Sequence, residues 1–125
     1  MRGNASLPED ELPLTPLTMA ILLALAESDK HGYALMKDVE RQTGGMLSPG
    51  TGSLYAALDR LEGEGLIEES PSRPAREEDQ RRKYFRITAA GRSLAGAEAA
   101  RMQRVLETAR ARSLASGLPS PRRAR

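Results

Sequence analysis

Residues Ser48 to Ile67, SPGTGSLYAALDRLEGEGLI, can fold in few ways, because the stretch reads as a short helix stopped by glycines that runs at once into a strand. Ser48 is of the type that caps a first helical turn, and Pro49 suits the first helical position, where its missing N–H costs nothing. A helix is expected to start there. Leu54, Tyr55, Leu58 and Leu61 fall on one stripe for packing inward, and Thr51, Gly52, Ser53, Ala56, Asp59 and Arg60 are left to face outward. Gly63 and Gly65 end the helix, and Leu66-Ile67 opens an extended segment ready to pair.

Its pairing partner follows closely. In RRKYFRIT, Lys83, Phe85 and Ile87 alternate with Arg82, Tyr84 and Arg86, the period of a half-buried strand. Between the two strands, PSRPAREEDQR holds two prolines and no large apolar residue, so it is expected to project into solvent. From Ser72 to Arg86 six basic residues (Arg73, Arg76, Arg81, Arg82, Lys83, Arg86) stand against three acidic ones (Glu77, Glu78, Asp79). A cationic tip beside an exposed helix suits phosphate binding, and double-stranded DNA is the expected partner.

The net charge of +2 conceals an asymmetry that supports this. Residues 1–71 carry five basic and twelve acidic side chains, whereas residues 72–125 carry fourteen basic and five acidic ones. With 125 residues, no Trp and one Phe, the chain is expected to form one small domain whose core of Leu, Ile, Val, Met and Ala favours helices. The absence of Cys excludes disulfides and thiol chemistry, and fits a reducing cytoplasm. The longest apolar run, Met19 to Ala26, is far too short to span a bilayer, and the N-terminus is acidic, so the expectation is a cytoplasmic protein without a membrane partner.

Along the chain, residues 1–14 have clustered acids and no periodicity and are expected to be a mobile arm. Thr15-Pro16 then opens LTMAILLALAES, apolar nearly all round, a helix that must be covered on several sides. SDKHG breaks it. Tyr33 to Thr43 forms the next helix, with Leu35, Met36 and Val39 inward and Gly44-Gly45 after it. The DNA-binding domain is expected to end at Thr88, the cap of a long last helix over residues 89–115, with a flexible basic tail at 116–125.

That last helix carries a second clue. Ala95, Ala99, Met102, Leu106 and Ala109 recur at steps of four and three with Val105 beside them, a seam that wants a partner helix. Packing on its own core is the plainer alternative, but a helix of some twenty-five residues is about 37 Å long, more than so small a core covers. A homodimer is expected, with Leu17 and Ile21 of the first helix joining Ala99, Met102, Val105, Leu106 and Ala109 across the two-fold axis.

From about Thr15 to Leu114 the chain resembles the PadR family of bacterial transcriptional regulators, in particular its short members with one C-terminal dimerisation helix. The resemblance rests on ILLALAESDKHGYAL, SLYAALDRLEGEGLI and RRKYFRITAAGRSL, in the family's order and spacing. It implies a mainly α winged helix-turn-helix, three helices plus a two-stranded β wing, that represses promoters as a dimer and is relieved by a small-molecule inducer near the dimer interface. Ala56 departs from the proline that many members carry, and Gly52-Ser53 extend the usual Pro-Gly-Thr-Leu-Tyr pattern. The lack of Trp removes the aromatic stack that some members place around flat drugs.

On this reading Ser48 to Leu61 enters the major groove. Thr51, Ser53 and Tyr55 contact phosphate or base edges, Ala56 offers an apolar surface to a thymine methyl, and Arg60 is a candidate backbone clamp. Tyr55 fits core packing equally well. Arg73, Arg76, Arg81 and Lys83 serve the wing. Gly50-Thr51-Gly52 lacks the lysine and spacing of a nucleotide loop; Ser28, Asp29 and His31 are neighbours in a turn rather than a triad; and His31, the one histidine, reads as a polar residue at a helix start rather than a metal ligand. No cofactor and no enzyme activity are expected. The competing class is a winged-helix module that docks a protein and never touches DNA, supported by Asp59, Glu62 and Glu64, acids that would repel phosphate if they faced a groove.

Overall fold

Among the described residues seven elements follow one another: α1 (Pro16–Glu27), β1 (Lys30–His31), α2 (Gly32–Gln42), α3 (Thr51–Gly63), β2 (Ile67–Glu69), β3 (Tyr84–Ile87) and α4 (Ala89–Ala111). The structure, a computed structural model, describes residues 11–71 and 82–114. Two helix starts lie where the caps put them: Thr15 Oγ1 accepts from the Thr18 N–H at 3.1 Å, and Thr88 Oγ1 from the Gly91 N–H at 3.1 Å. The third differs. Ser48 Oγ donates to Glu40 Oε2 at 2.7 Å instead of capping, so α3 begins at Thr51 with Gly50 as a cap that has no side chain to offer.

The core is the apolar surface of α1 covered from several directions, as its composition demands. Ile21, Leu22 and Leu25 meet Leu35 and Val39 of α2, Leu54, Leu58 and Leu61 of α3, Ile67, Phe85, and Leu94 of α4. Because Ile21 is completely buried inside the protomer, it cannot touch a second copy, which corrects its expected place at the dimer axis. Leu17 is also packed against this core, and only partly open. Leu23, 45 % exposed, is the large apolar residue of α1 that keeps an open face.

β2 and β3 form the expected antiparallel ribbon, with Ile67 opposite Ile87, Glu68 opposite Arg86 and Glu69 opposite Phe85. A further strand was not anticipated. β1 adds to the other side of β3, pairing Lys30 with Phe85 and His31 with Tyr84, so the sheet order is β1-β3-β2. Two residues are too few to show a period. Buried Ser70 ties the ribbon back to the β1 side by donating to Asp29 Oδ2.

Residues 11–14, expected to belong to the arm, lie against the domain: Leu12 and Leu14 pack on the core, and the Leu14 N–H donates to Glu98 Oε2 at 3.2 Å. Residues 1–10 and the tail from 115 lie outside the described residues. Glu98 is buried on α4, where Arg101 donates to it from Nε at 2.7 Å and from Nη2 at 3.0 Å. That pair, more than the Leu14 amide, holds the carboxyl below its ordinary range against the opposing effect of burial. Its contribution to stability is therefore present above the ordinary carboxylate range and is lost as acid protonates it.

Gly91 shows how closely α4 is seated. The Thr88 N–H donates to the Leu66 carbonyl at 3.1 Å and Thr88 Oγ1 donates to the Gly65 carbonyl at 2.7 Å, drawing the first turn of α4 onto the end of α3. A methyl group on Gly91 would fall onto the Leu66 carbonyl oxygen, which is backbone and cannot swing aside. Replacing a helical glycine by alanine ordinarily stabilises by about 1 kcal/mol. Here Gly91→Ala should instead destabilise by about 1 to 3 kcal/mol, the usual cost of overpacking, as read by denaturant unfolding. A gain in stability would mean that α4 is seated more loosely than described.

Candidate nucleic-acid interface

The surface left open by α3 is its first turn and a half. Thr51, Gly52, Ser53 and Ala56 are exposed, while Leu54, Ala57, Leu58 and Leu61 are buried, the division expected from the helical period. No side chain caps this helix, so the amides of its first turn point outward with the positive end of the helix dipole. An anion is the natural guest there. Thr51, Gly52 and Ser53 are the first three residues of α3.

Tyr55 fits neither of its two expected roles fully. It is 44 % exposed, and the end of its ring lies over Gly32, where any side chain would strike the hydroxyl and ring carbon. The bare backbone at the start of α2 thus supports an aromatic ring of α3, fixing how the two helices meet. Beside it, Tyr33 is exposed on α2 and the Lys37 ammonium stands 5.6 Å from the centre of its ring. Sequence reasoning passed over both. Their spacing of four on the polar face of α2 was the available signal.

Two of the residues expected to contact DNA also have partners within the protein. Arg60 Nη2 donates to Thr18 Oγ1 at 2.9 Å, and its Nη1 lies 3.7 Å from Glu64, so the guanidinium is turned toward the start of α1 at the far end of α3. It lines an open cleft of about 250 Å³ with Glu11, Leu14, Leu66 and Leu94, among others. Lys83 Nζ is 3.3 Å from Glu62 and 5.2 Å from the centre of the Phe85 ring. It joins the root of the ribbon to α3 instead of reaching outward. Opposite charge explains both pairings, since each base neutralises an acid that would otherwise stand alone on α3.

Arg86 is likewise paired across the ribbon, 2.7 Å from Glu68, whereas Arg82 reaches the His31 ring at the junction of β1 and α2. His31 does stand at a helix start: its Nδ1 accepts from the Ala34 N–H at 3.2 Å, the cap of α2. Arg73, Arg76 and Arg81 lie outside the described residues. Among the described residues no group of three or more His, Asp or Glu side chains converges in a way that would hold a metal ion, and no helix is long and apolar enough to cross a membrane.

Three helices with the last displayed beside an antiparallel ribbon, and a long helix leaving the core, define a winged helix-turn-helix regulator. The sequence model of the transcriptional regulator PadR-like family matches residues 21–97, and the chain belongs to that family, one of transcriptional regulators and not of enzymes. It is 44% identical over 87 residues to an uncharacterised 37.1 kDa protein in a transposon of Streptomyces fradiae, a match covering 70% of this chain and 23% of that protein. It is 31% identical over 102 residues to the transcriptional regulator YqjI of Escherichia coli strain K12, covering 82% of this chain and 46% of that one. The chain thus spans from about a quarter to about half the length of these curated relatives. In fold it is similar to a PadR family transcription regulator of Clostridium difficile, with a TM-score of 0.64, 21% identity, and coverage of 77% of this chain and 96% of that one.

Proposed function

We propose that the chain is a homodimeric, sequence-specific DNA-binding repressor that occupies a roughly two-fold symmetric operator in the cytoplasm and is released by a small-molecule inducer. The observation that carries the DNA contact is the uncapped, exposed first turn of α3 beside a ribbon whose connecting segment is rich in arginine. Dimerisation is supported by α4: its buried residues end at Glu98, and beyond it Met102 and Val105 are 48 % and 56 % exposed, with Ala99 open and Leu106 and Ala109 half-buried. Repression and induction are what the family resemblance implies.

The competing reading, a protein-docking module, loses much of its support. Glu62 and Glu64 are each paired with a base, and of the three acids that favoured it Asp59 alone is left without a described partner on the α3 surface. A mobility-shift assay with random-sequence duplex separates the two classes. Binding at low salt that weakens at moderate salt is the expected result, and no binding at either would favour the docking module.

Base reading is expected of the first turn. Thr51→Ala and Ser53→Ala should each weaken operator binding by on the order of 1 to 3 kcal/mol if the hydroxyls meet base edges, with the fold intact because both side chains are exposed. Titrations against operator and random duplex check this. Equal losses on the two would assign the hydroxyls to phosphate and leave only the docking geometry standing.

A further inference from the structure

The chain has one Phe and three Tyr. Phe85 is sealed in the core and Tyr84 meets the His31 ring edge-on, whereas Tyr33 of α2 and Tyr55 of α3 are 55 % and 44 % exposed. These two open rings belong to one surface. The Tyr55 ring leaves the exposed first part of α3 and ends over Gly32, the residue before Tyr33. Gly32 permits this, because a Cβ there would strike both the Tyr55 hydroxyl and the ring carbon that carries it. Among the described residues neither phenol hydroxyl has a hydrogen-bond partner.

One turn along α2, the Lys37 ammonium stands 5.6 Å from the centre of the Tyr33 ring. The acid nearest to it, Glu40, is 3.9 Å away through one carboxylate oxygen, and its other oxygen accepts the Ser48 hydroxyl at 2.7 Å. Lys37 is therefore held only at the limit of an ion pair. An ammonium has donors and no acceptor, and a phenol donates through its O–H, so the three side chains together offer an anion what it needs. Their aromatic surface, costly to leave in water, gains cover against a sugar-phosphate chain.

We propose that Tyr33, Lys37 and the Tyr55 hydroxyl form a further DNA contact, to backbone phosphate, and that Tyr55 belongs to this contact and reads no base. The proposal rests on the DNA-binding reading above. Tyr55 makes the surface continuous with the open first turn of α3, since it starts two residues after Ser53 and carries its hydroxyl to the start of α2. With the first turn in a groove, the phosphates bordering that groove are the anions at hand. Contacts of this kind set the position of the helix on the duplex and carry no sequence information. Gly32 then acts as a positioning residue, because its bare backbone aims Tyr55 at α2.

The test uses the full-length protein, a random-sequence duplex, and a tight-binding duplex that the parent selects from a random pool. Tyr55→Phe removes one hydroxyl and leaves the ring over Gly32, so its denaturant unfolding should match the parent's. Its affinity should fall by roughly three- to tenfold on both duplexes alike, and so should that of Tyr33→Phe. Lys37→Gln should flatten the plot of log affinity against log salt by about 0.9 per contact, about 1.8 for a dimer. A loss confined to the selected duplex would make Tyr55 a base reader and overturn the proposal. Unchanged affinity in either phenylalanine variant, or an unchanged salt slope in Lys37→Gln, would overturn it too. If the parent binds duplex and all three variants match it, this contact alone falls; a parent that binds no duplex at low salt would bring down the DNA reading and the contact together.

Discussion

Leu106→Asp should dissociate the proposed dimer and lower operator affinity by about 10² or more. α4 runs for 23 residues, about 34 Å at 1.5 Å per residue, yet its buried positions, Gly91, Leu94, Ala95 and Glu98, all lie in the first half. From Ala99 onward no residue of the helix is fully buried among the described residues, and the steps of four and three from Ala99 through Met102 and Leu106 to Ala109 leave one apolar stripe open or half-open. Ala95, which begins that periodicity in sequence, is consumed by its own core. A carboxylate placed in the stripe and buried by a partner without a counter-charge costs several kcal/mol, while the first half of α4 and the rest of the core are untouched. The monomer should remain folded and keep one half-site contact, losing only the gain from linking two. Sedimentation or light scattering, paired with operator titration, measures both effects. A variant that stays dimeric, or a monomer that binds as tightly as the parent, would show that α4 has a different job.

The second large effect is expected from the wing. Replacing Arg76 and Arg81 by glutamate removes four cationic side chains from a dimer, and if all four meet phosphate the plot of log affinity against log salt should flatten by up to about 3.6, at roughly 0.9 per contact. With about 1 kcal/mol for each contact, the upper end for exposed ion pairs, affinity at low salt should fall by up to about 10³ on operator and random duplex alike. The described bases at the root of the ribbon have partners within the protein: Lys83 with Glu62, Arg86 with Glu68 and Arg82 with His31. If the double variant binds random duplex as well as the parent, the wing does not supply the affinity.

Much of this protein was determined locally and could be read before any coordinates. The caps Thr15 and Thr88, the end of α3 at Gly65 with its φ of +76°, the alternation of β3, and the inward stripes of α2 and α3 each depend on residues no more than a few positions apart. Helical and strand periods are properties of the chain itself, so they survive whatever packs against them. The ordered motifs then pointed to the winged fold and the family together.

What only the tertiary structure decided are contacts between residues far apart in sequence. Arg60 finds Thr18 across 42 residues, Lys83 finds Glu62 across 21, and Leu14 finds Glu98 across 84. Each gives a residue that looked free a partner within the protein: two residues expected at the DNA also make internal ties, and the end of an expected arm packs on the domain. Ser48 gives its hydroxyl to Glu40, and the helix starts two residues later, at Thr51. Ile21 and Leu23 look alike in an apolar run, yet one is sealed in the core and the other left open. A one-dimensional pattern tells which residues must be buried or paired; which partner they meet depends on the distances that folding brings about.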